Sequence, residues 1–131
     1  MGTWGFDPWQ NDGIHDSFGN HVLFEFLEKQ IDAVKISEDD DFYCYKNGIL
    51  RALLHTSNYC GQYMDSFYRD VLLLKLYPKY KIAKRLMDKE FSIGYMKQGY
   101  HDRVEQEYEE LIQNVKVADD DVKEKIGFKG L

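Results

Sequence analysis

Three residues near the start of the chain have the types and spacing for metal binding or proton transfer. Asp12, His15 and Asp16 are three and four residues apart, so they would share one face of a helix that begins early enough. Two carboxylates and an imidazole can ligate a divalent metal ion or act as an acid and a base. Carboxylates at the start of a helix also accept hydrogen bonds from free backbone N–H groups, and we favour this capping role.

The remaining histidines, hydroxyls and thiols complete no catalytic pattern. His101 stands beside Asp102 as in half of a dyad, but no nucleophile can be assigned to it, and His55 is expected on a helix surface. The sequence has no Gly-x-Ser-x-Gly turn, no phosphate-binding glycine loop and no HExxH helix. Cys44 and Cys60 lack metal-ligand spacing, so we expect two free, buried thiols in a reducing cytoplasm. The sequence therefore predicts neither enzymatic activity nor a bound metal or cofactor.

The distribution of charge favours a protein partner. A net charge of -6 disfavours nucleic acid and anionic membrane surfaces as partners. Basic residues dominate positions 75–89, and acidic residues dominate positions 105–110. Charge runs are most often solvated faces, and the alternative is an interface that complementary charge steers toward a partner. Our candidate partner-binding residues are Tyr100, Glu105, Tyr108 and Glu109, with Glu107 and Glu110 on the same surface.

Helical spacing of apolar residues indicates a single all-α domain over residues 1–131, a compact bundle of about five helices. The chain has 131 residues, 44% of them hydrophobic and 15% aromatic, which is enough for one core. The run VLLLKL could also be a strand, but no second strand candidate exists to pair with it. The apolar stripe expected to face the core in the first helix is Phe18, Val22, Phe26, Ile31 and Val34, widened by Leu23 and Leu27.

Turn and capping signals set the expected helix ends. Asp39–Asp41 predict the first turn of the second helix, and Pro78 predicts the end of the third helix and the start of the fourth. Gly48 predicts a close approach between two helices. The segment 101–116 carries the cleanest helical pattern. Residues 118–131 are expected to be a C-terminal tail that forms one short turn of helix and then frays.

The first 13 residues, MGTWGFDPWQNDG, are expected to form an ordered aromatic arm. Trp4 and Trp9 each offer more than about 150 Å² of area with which to anchor the arm across the core. Asn11 and Asp12 suit a turn that caps the first helix. No signal peptide is visible, and no apolar stretch approaches the roughly 20 residues that span a bilayer. We therefore expect a cytoplasmic protein.

The same segment resembles a bacterial protein family of unknown function, the family numbered 4259. The resemblance rests on MGTWG at the N-terminus, followed by Pro8, then by Asn11 and Asp12, and then by Asp16. The family has no established enzymatic activity, and some small proteins resembling it are regarded as candidate immunity proteins, which bind and neutralise a bacterial toxin. The residues that we assign to a structural N-terminal motif are Trp4, Gly5, Trp9, Asn11, Asp12 and Asp16.

Functions of different classes remain open at this point. We favour a non-enzymatic cytoplasmic protein that binds another protein, such as a toxin that it neutralises. The alternative is a metal-dependent hydrolase or small-ligand binder that uses Asp12, His15 and Asp16. A third hypothesis is a homodimer that buries the surplus tyrosine and phenylalanine side chains.

Overall fold

The computed structural model describes residues 15–94 and 96–131, with side chains from residue 17 onward. These residues form five α-helices and no strand, which confirms the predicted all-α fold. The helices are α1 (Phe24–Ala33), α2 (Tyr43–Cys60), α3 (Ser66–Ser92), α4 (Gln98–Val117) and α5 (Asp120–Lys125). A π-helical segment, His15–Leu23, runs directly into α1, and a 3₁₀ turn, Gly61–Tyr63, follows α2. The predicted aromatic arm lies outside the described residues.

The longest helix, α3, is the centre of the bundle. It has 27 residues, packs against α1, α2, α4 and α5, and buries side chains from Asp70 to Met87. The prediction that one helix ends near Pro78 and another begins there is wrong, because the chain stays helical through this residue. The number of helices agrees with the prediction, but the helices are not the same five. The predicted third and fourth helices form the single helix α3, and the C-terminal segment, predicted as a tail, contains α5.

Pro78 is tolerated inside α3 because of what surrounds it. It lacks the N–H that would bond to the Leu74 carbonyl, and a proline inside a helix costs about 3 kcal/mol. Its ring lies on the exposed side of the helix, whereas Leu76, Tyr77 and Tyr80 are buried. Burying one large apolar side chain contributes about 1.5–3 kcal/mol, so the buried side chains together outweigh the missing hydrogen bond.

The first helical stretch buries a different row of side chains from the predicted one. Ile31 and Val34 are buried as expected, but Val22 and Phe26 are 52% and 60% exposed. Leu27, expected only to widen the stripe, is buried in the core. The apolar residues of this stretch form two neighbouring rows, and their spacing does not say which row meets α3.

The π-helical segment is held against the turn between α2 and α3. The Asn20 side chain donates to the Asp65 carboxylate at 3.0 Å and accepts from the Asp65 backbone N–H at 2.8 Å. The neighbouring Gly19 lies so close that an added Cβ would be 1.7 Å from the Tyr63 carbonyl oxygen. Gly48, where a close approach was predicted, has no neighbour within 4 Å of an added Cβ, so that prediction is wrong.

The start of α2 also differs from the prediction. The helix begins at Tyr43, and the three aspartates before it lie in turns. Asp40 accepts hydrogen bonds from the Lys46 ammonium at 2.6 Å and from the Phe42 backbone N–H at 2.9 Å. These bonds hold the pKa of Asp40 below its usual range. The acid therefore organises the loop that enters α2 instead of forming its first turn.

The C-terminal segment does not fray as predicted. Asp119 caps α5 by accepting from the Asp121 backbone N–H at 2.7 Å, and Val122 is buried. The helix ends in a Schellman motif, in which Gly127 has a φ of 70° and the Phe128 N–H donates to the Lys123 carbonyl at 2.9 Å. This turn sends residues 128–131 back along α3.

Candidate functional site

The four predicted partner-binding residues lie on three sides of α4. Tyr100 faces α2, where its hydroxyl donates to Asn47 at 3.3 Å and the Arg51 guanidinium lies 5.1 Å from its ring centroid. Glu105 faces α3 and lies 3.7 Å from the Lys84 ammonium. Glu109 is exposed and has no ion pair with another described residue. The spacing of Glu105 and Glu109 places these two acids on one face of the helix.

Tyr108, the fourth predicted residue, packs between α3 and α4. Its ring is stacked on the rings of Tyr77 and Tyr80, with centroids 6.1 and 5.9 Å away. Burial, followed by the hydrogen bond with the Tyr77 hydroxyl, raises the pKa of Tyr108. The ring is half-buried, and its ring contacts are with side chains of α3.

The basic segment of α3 is used within the fold. Five of its six cations donate to oxygen atoms of the protein itself. The contacts are Lys75 with Glu28 and Asp32, Lys79 with the Ile31 carbonyl, Lys81 with the Leu131 backbone oxygen, Lys84 with Asp88, and Arg85 with Glu38. The sixth cation, Lys89, is exposed to solvent. The cations of α3 therefore tie it to its surroundings and offset neighbouring acids.

The exposed surface of α4 carries more acids than cations, although one of these acids, Glu105, lies 3.7 Å from the Lys84 ammonium. Four carboxylates on this helix are exposed, against two exposed cations, Arg103 and Lys116. The four acids are Asp102, Glu105, Glu109 and Glu110, which we call the acidic face. Asp102 accepts a hydrogen bond from the neutral Gln98, and Glu110 has no ion pair in the described part of the chain. The fold thus leaves an excess of negative charge on α4.

A buried carboxylate, Glu107, lies on the opposite side of α4. Arg51 donates to both of its oxygens, from Nε at 2.8 Å and from Nη2 at 2.6 Å, while His55 Nε2 lies at 3.2 Å. The Tyr80 hydroxyl donates at 3.4 Å. Burial alone would raise the pKa of Glu107, but the hydrogen bonds from Arg51 and His55 outweigh it and lower the pKa. Glu107 is therefore an internal anion that joins α2, α3 and α4, and its predicted place on the partner-binding surface is wrong.

The contact between His55 and Glu107 has the form of half a catalytic triad. A neutral His55 that donates from Nε2 to Glu107 keeps a lone pair on Nδ1, as a general base requires. The ring borders a polar cavity of about 390 Å³, which is also lined by Leu54, Asn58, Arg103, Gln106 and Glu110. Among the described residues, no hydroxyl or thiol forms a hydrogen bond with His55. In the described part of the chain, the His55–Glu107 pair therefore has no nucleophile to activate.

A second polar cluster joins α3 to α4. Asp88, His101 and Glu105 each place one potential metal ligand within 4.8 Å of the others. The Lys84 ammonium, however, lies 2.8 Å from both Asp88 oxygens, where a metal ion would have to bind. His101 pairs with Asp88 at 2.8 Å, not with its neighbour Asp102 as the half-dyad interpretation required. This cluster is therefore an ion-pair network that already contains its cation.

An apolar cavity of about 310 Å³ lies beside Tyr100, where α2, α3 and α4 come together. Its lining, which we call the Tyr100 pocket, is Cys44, Met87, Glu90, Met96, Lys97 and Tyr100. Both cysteines are free, as predicted, but Cys44 is exposed and Cys60 is only half-buried, so the expectation of buried thiols is wrong for Cys44. The flexible side chains of Met87 and Met96 adapt well to an inserted apolar group.

The N-terminal side chains that are candidates for metal binding or capping lie outside the described part of the structure. Asp12 and the side chains of His15 and Asp16 lie outside the described residues, as do Trp4, Gly5, Trp9 and Asn11 of the predicted motif. The backbone at positions 15 and 16 belongs to the π-helical segment. The predicted metal site and the predicted capping role both stay predictions.

Comparisons of the chain with protein-family models, with curated proteins and with solved structures find no match. None of the helices in residues 15–94 and 96–131 combines the length and the apolar character needed to cross a membrane.

Proposed function

We propose that this chain is a non-enzymatic binding protein that docks a basic protein partner on the acidic face of α4. The observation that carries the proposal is the unequal use of charge. Five of the six cations at positions 75–89 of α3 donate to oxygen atoms of the protein itself, whereas Glu109 and Glu110 have no ion pair with any described residue. Unpaired surface charge of one sign steers a partner of opposite sign and speeds its association.

The Tyr100 pocket supplies the apolar part of the proposed interface. Stable interfaces combine a desolvated apolar centre with a charged rim, and tyrosine is frequent among the residues that dominate binding energy. Tyr100 is 39% exposed and borders a cavity wide enough for one large side chain. Tyr100 faces α2 and Glu105 faces α3, so a partner that contacts both has to wrap around α4, which is about 10–12 Å wide with its side chains.

The internal polar clusters support a role without catalysis. Glu107 is held by Arg51, and Asp88 is held by Lys84, so each buried or half-buried carboxylate carries its own cation. An enzyme that uses a carboxylate as acid or base keeps the pKa of that group near the working pH. The pKa values of Glu107 and Asp88 are shifted the other way, below their usual range.

The partner class that fits best is a protein with a basic nucleic-acid-binding cleft, as in a toxic nuclease. An acidic helix laid over such a cleft would block substrate access and so neutralise the toxin. The resemblance of the first 16 residues to family 4259 supports the same role. In this proposal the protein acts in the bacterial cytoplasm, beside the toxin it binds.

Affinity capture with matched baits tests the proposal. The baits are the wild-type chain, Glu109→Lys/Glu110→Lys on α4, and Asp120→Lys/Glu124→Lys on α5 as a control with the same change in charge. We expect a basic protein to be retained by the wild-type and control baits and lost from the α4 bait. Equal retention by all three baits, an acidic partner, or no partner in cells of the native source would each contradict the proposal. Sedimentation that shows a dimer, dissociated by the α4 substitutions, would assign this face to self-association instead.

A further inference from the structure

Two sulfur atoms from different helices meet in the wall of the Tyr100 pocket. The Cys44 thiol on α2 lies 4.0 Å from the Met87 sulfur on α3, to which it donates a weak hydrogen bond. Met96 lines the same cavity, whereas Cys60 does not. Cys44 is exposed and Met87 is buried, so the pair joins a thiol that solvent reaches to a sulfur of the interior.

The distance between the two sulfurs fits a metal ion bound to both. Metal–sulfur bonds are about 2.3 Å long, so an ion bonded to two sulfurs 4.0 Å apart would hold them at an angle of about 120°. This is the angle of a three-coordinate site, and the two side chains already have the required separation. Met96 can supply the third sulfur, because it lines the same cavity and its unbranched side chain is flexible.

The chemistry of the two ligands selects the ion. Thiolate and thioether are soft ligands, which favour Cu(I), whereas Mg²⁺ and Ca²⁺ prefer oxygen. When a monovalent ion binds, the S–H bond of Cys44 breaks, a Cu–S bond forms and the proton leaves to solvent, so the charge of the site stays the same. A divalent ion would add one positive charge in an apolar cavity, which is costly. The other charged lining residues, Glu90 and Lys97, offset each other.

We propose that Cys44 and Met87 bind one Cu(I) ion between α2 and α3, in the position where the thiol proton now lies between the two sulfurs. The step changes no oxidation state, because Cu(I) replaces H⁺. The exposed side of Cys44 provides the path by which the ion enters and the proton leaves. The docking proposal also uses the Tyr100 pocket, but this inference does not rest on it, since titration of the isolated chain needs no partner.

Anaerobic titration with Cu(I) against the chromogenic chelator bicinchoninate tests the proposal. We expect the wild-type chain to withdraw one equivalent of Cu(I) from the chelator. Cys44→Ser and Met87→Leu should each weaken binding at least about tenfold, because losing a group that only orients a metal ligand already costs about 10–100-fold. Cys60→Ser, which removes the thiol outside the cavity, should bind as the wild type does. Thermal unfolding checks that all variants are folded.

NMR of the methionine methyl groups locates the ion in the wild-type chain, with Ag(I) as a redox-inert substitute for Cu(I). We expect the Met87 signal to shift until one equivalent is added, and the signal of Met64, which lies outside the cavity, to stay in place. Absence of saturable shifts, equal shifts at Met64, or unchanged Cu(I) binding by Cys44→Ser or Met87→Leu would each overturn the proposal. Displacement of Cu(I) by equimolar Zn²⁺ would contradict selection of a soft monovalent ion.

Discussion

Arg51 and Glu107 join α2 to α4 through two hydrogen bonds, 2.8 and 2.6 Å long, in a site where Glu107 is only 7% exposed. The two residues are 56 positions apart in the sequence. A buried carboxylate without its cation is strongly destabilising. This pair therefore fixes the position of α4, and of the acidic face that it carries, relative to α2.

Replacing the Arg51 guanidinium should destabilise the protein. For Arg51→Met we expect a loss of about 2–4 kcal/mol in the free energy of unfolding, because Glu107 then stays buried without its cation. Urea denaturation measures it. Arg103→Met, an exposed arginine on α4 without an ion pair among the described residues, should change stability by no more than about 0.5 kcal/mol. Equal effects of the two substitutions would contradict the structural role of the Arg51–Glu107 pair.

The lowered pKa of Glu107 should make stability depend on pH in the acid range. Because its folded-state pKa lies below the unfolded value of about 4.3, the unfolded chain binds the proton first as pH falls. The stabilisation is complete above the unfolded pKa and is lost as pH falls through the folded one. Urea titrations between neutral and strongly acidic pH should show Glu107→Gln and wild type converging in stability at the acid end. A gap that stays constant over the whole range would show that the Glu107 pKa is not lowered by folding.

Two glycines should respond in opposite directions to the same substitution. Gly19→Ala places a methyl group against the Tyr63 carbonyl and should destabilise the protein by about 1–3 kcal/mol, since backbone has to move. Gly48→Ala meets open space inside α2 and should stabilise it by up to about 1 kcal/mol. Thermal unfolding of the two variants is the measurement. If Gly19→Ala were neutral, the π-helical segment would not be packed against residues 63–65 as described.

Pro78→Ala should stabilise α3. The substitution returns an N–H that can bond to the Leu74 carbonyl, and the exposed position has room for alanine. Part of the roughly 3 kcal/mol propensity difference is offset by the greater freedom of the unfolded chain, so we expect a gain of about 1–2 kcal/mol. Chemical denaturation measures it. Loss of stability would mean that the packing of Tyr77 and Tyr80 requires the proline at this position.

Apolar periodicity predicted the helical character of the chain well, because it reports local geometry. The segment 101–116, which has the cleanest helical pattern, lies in α4, where its apolar residues Val104, Leu111 and Val115 are buried. The predicted helix boundary at Pro78 was wrong because the local helix-breaking effect of proline is outweighed by the burial of apolar side chains before and after it in α3. That burial depends on tertiary packing, which local sequence does not report. In the first helix, two apolar rows fitted the same spacing, and contact with α3 selected the row that includes Leu27 and Ile31.

The polar clusters could not be predicted from spacing, because their members come from distant positions. Asp88 and His101 lie on different helices, as do Arg51 and Glu107. One signal was present for Glu107: it occupies a position three residues after Val104 and four before Leu111, inside the apolar stripe of α4. An acid at such a position indicates a buried ion pair, although it does not name the cation.

The most direct test of the docking proposal is the association rate of the captured basic partner, measured by stopped-flow mixing at low and high salt. We expect the wild-type rate to fall at least about tenfold as salt rises, because salt screens the acidic face. Glu109→Lys/Glu110→Lys should already be slow at low salt and depend little on salt, while Asp120→Lys/Glu124→Lys follows the wild type. An unchanged rate and an unchanged salt dependence in the α4 variant would contradict the claim that this helix receives the partner.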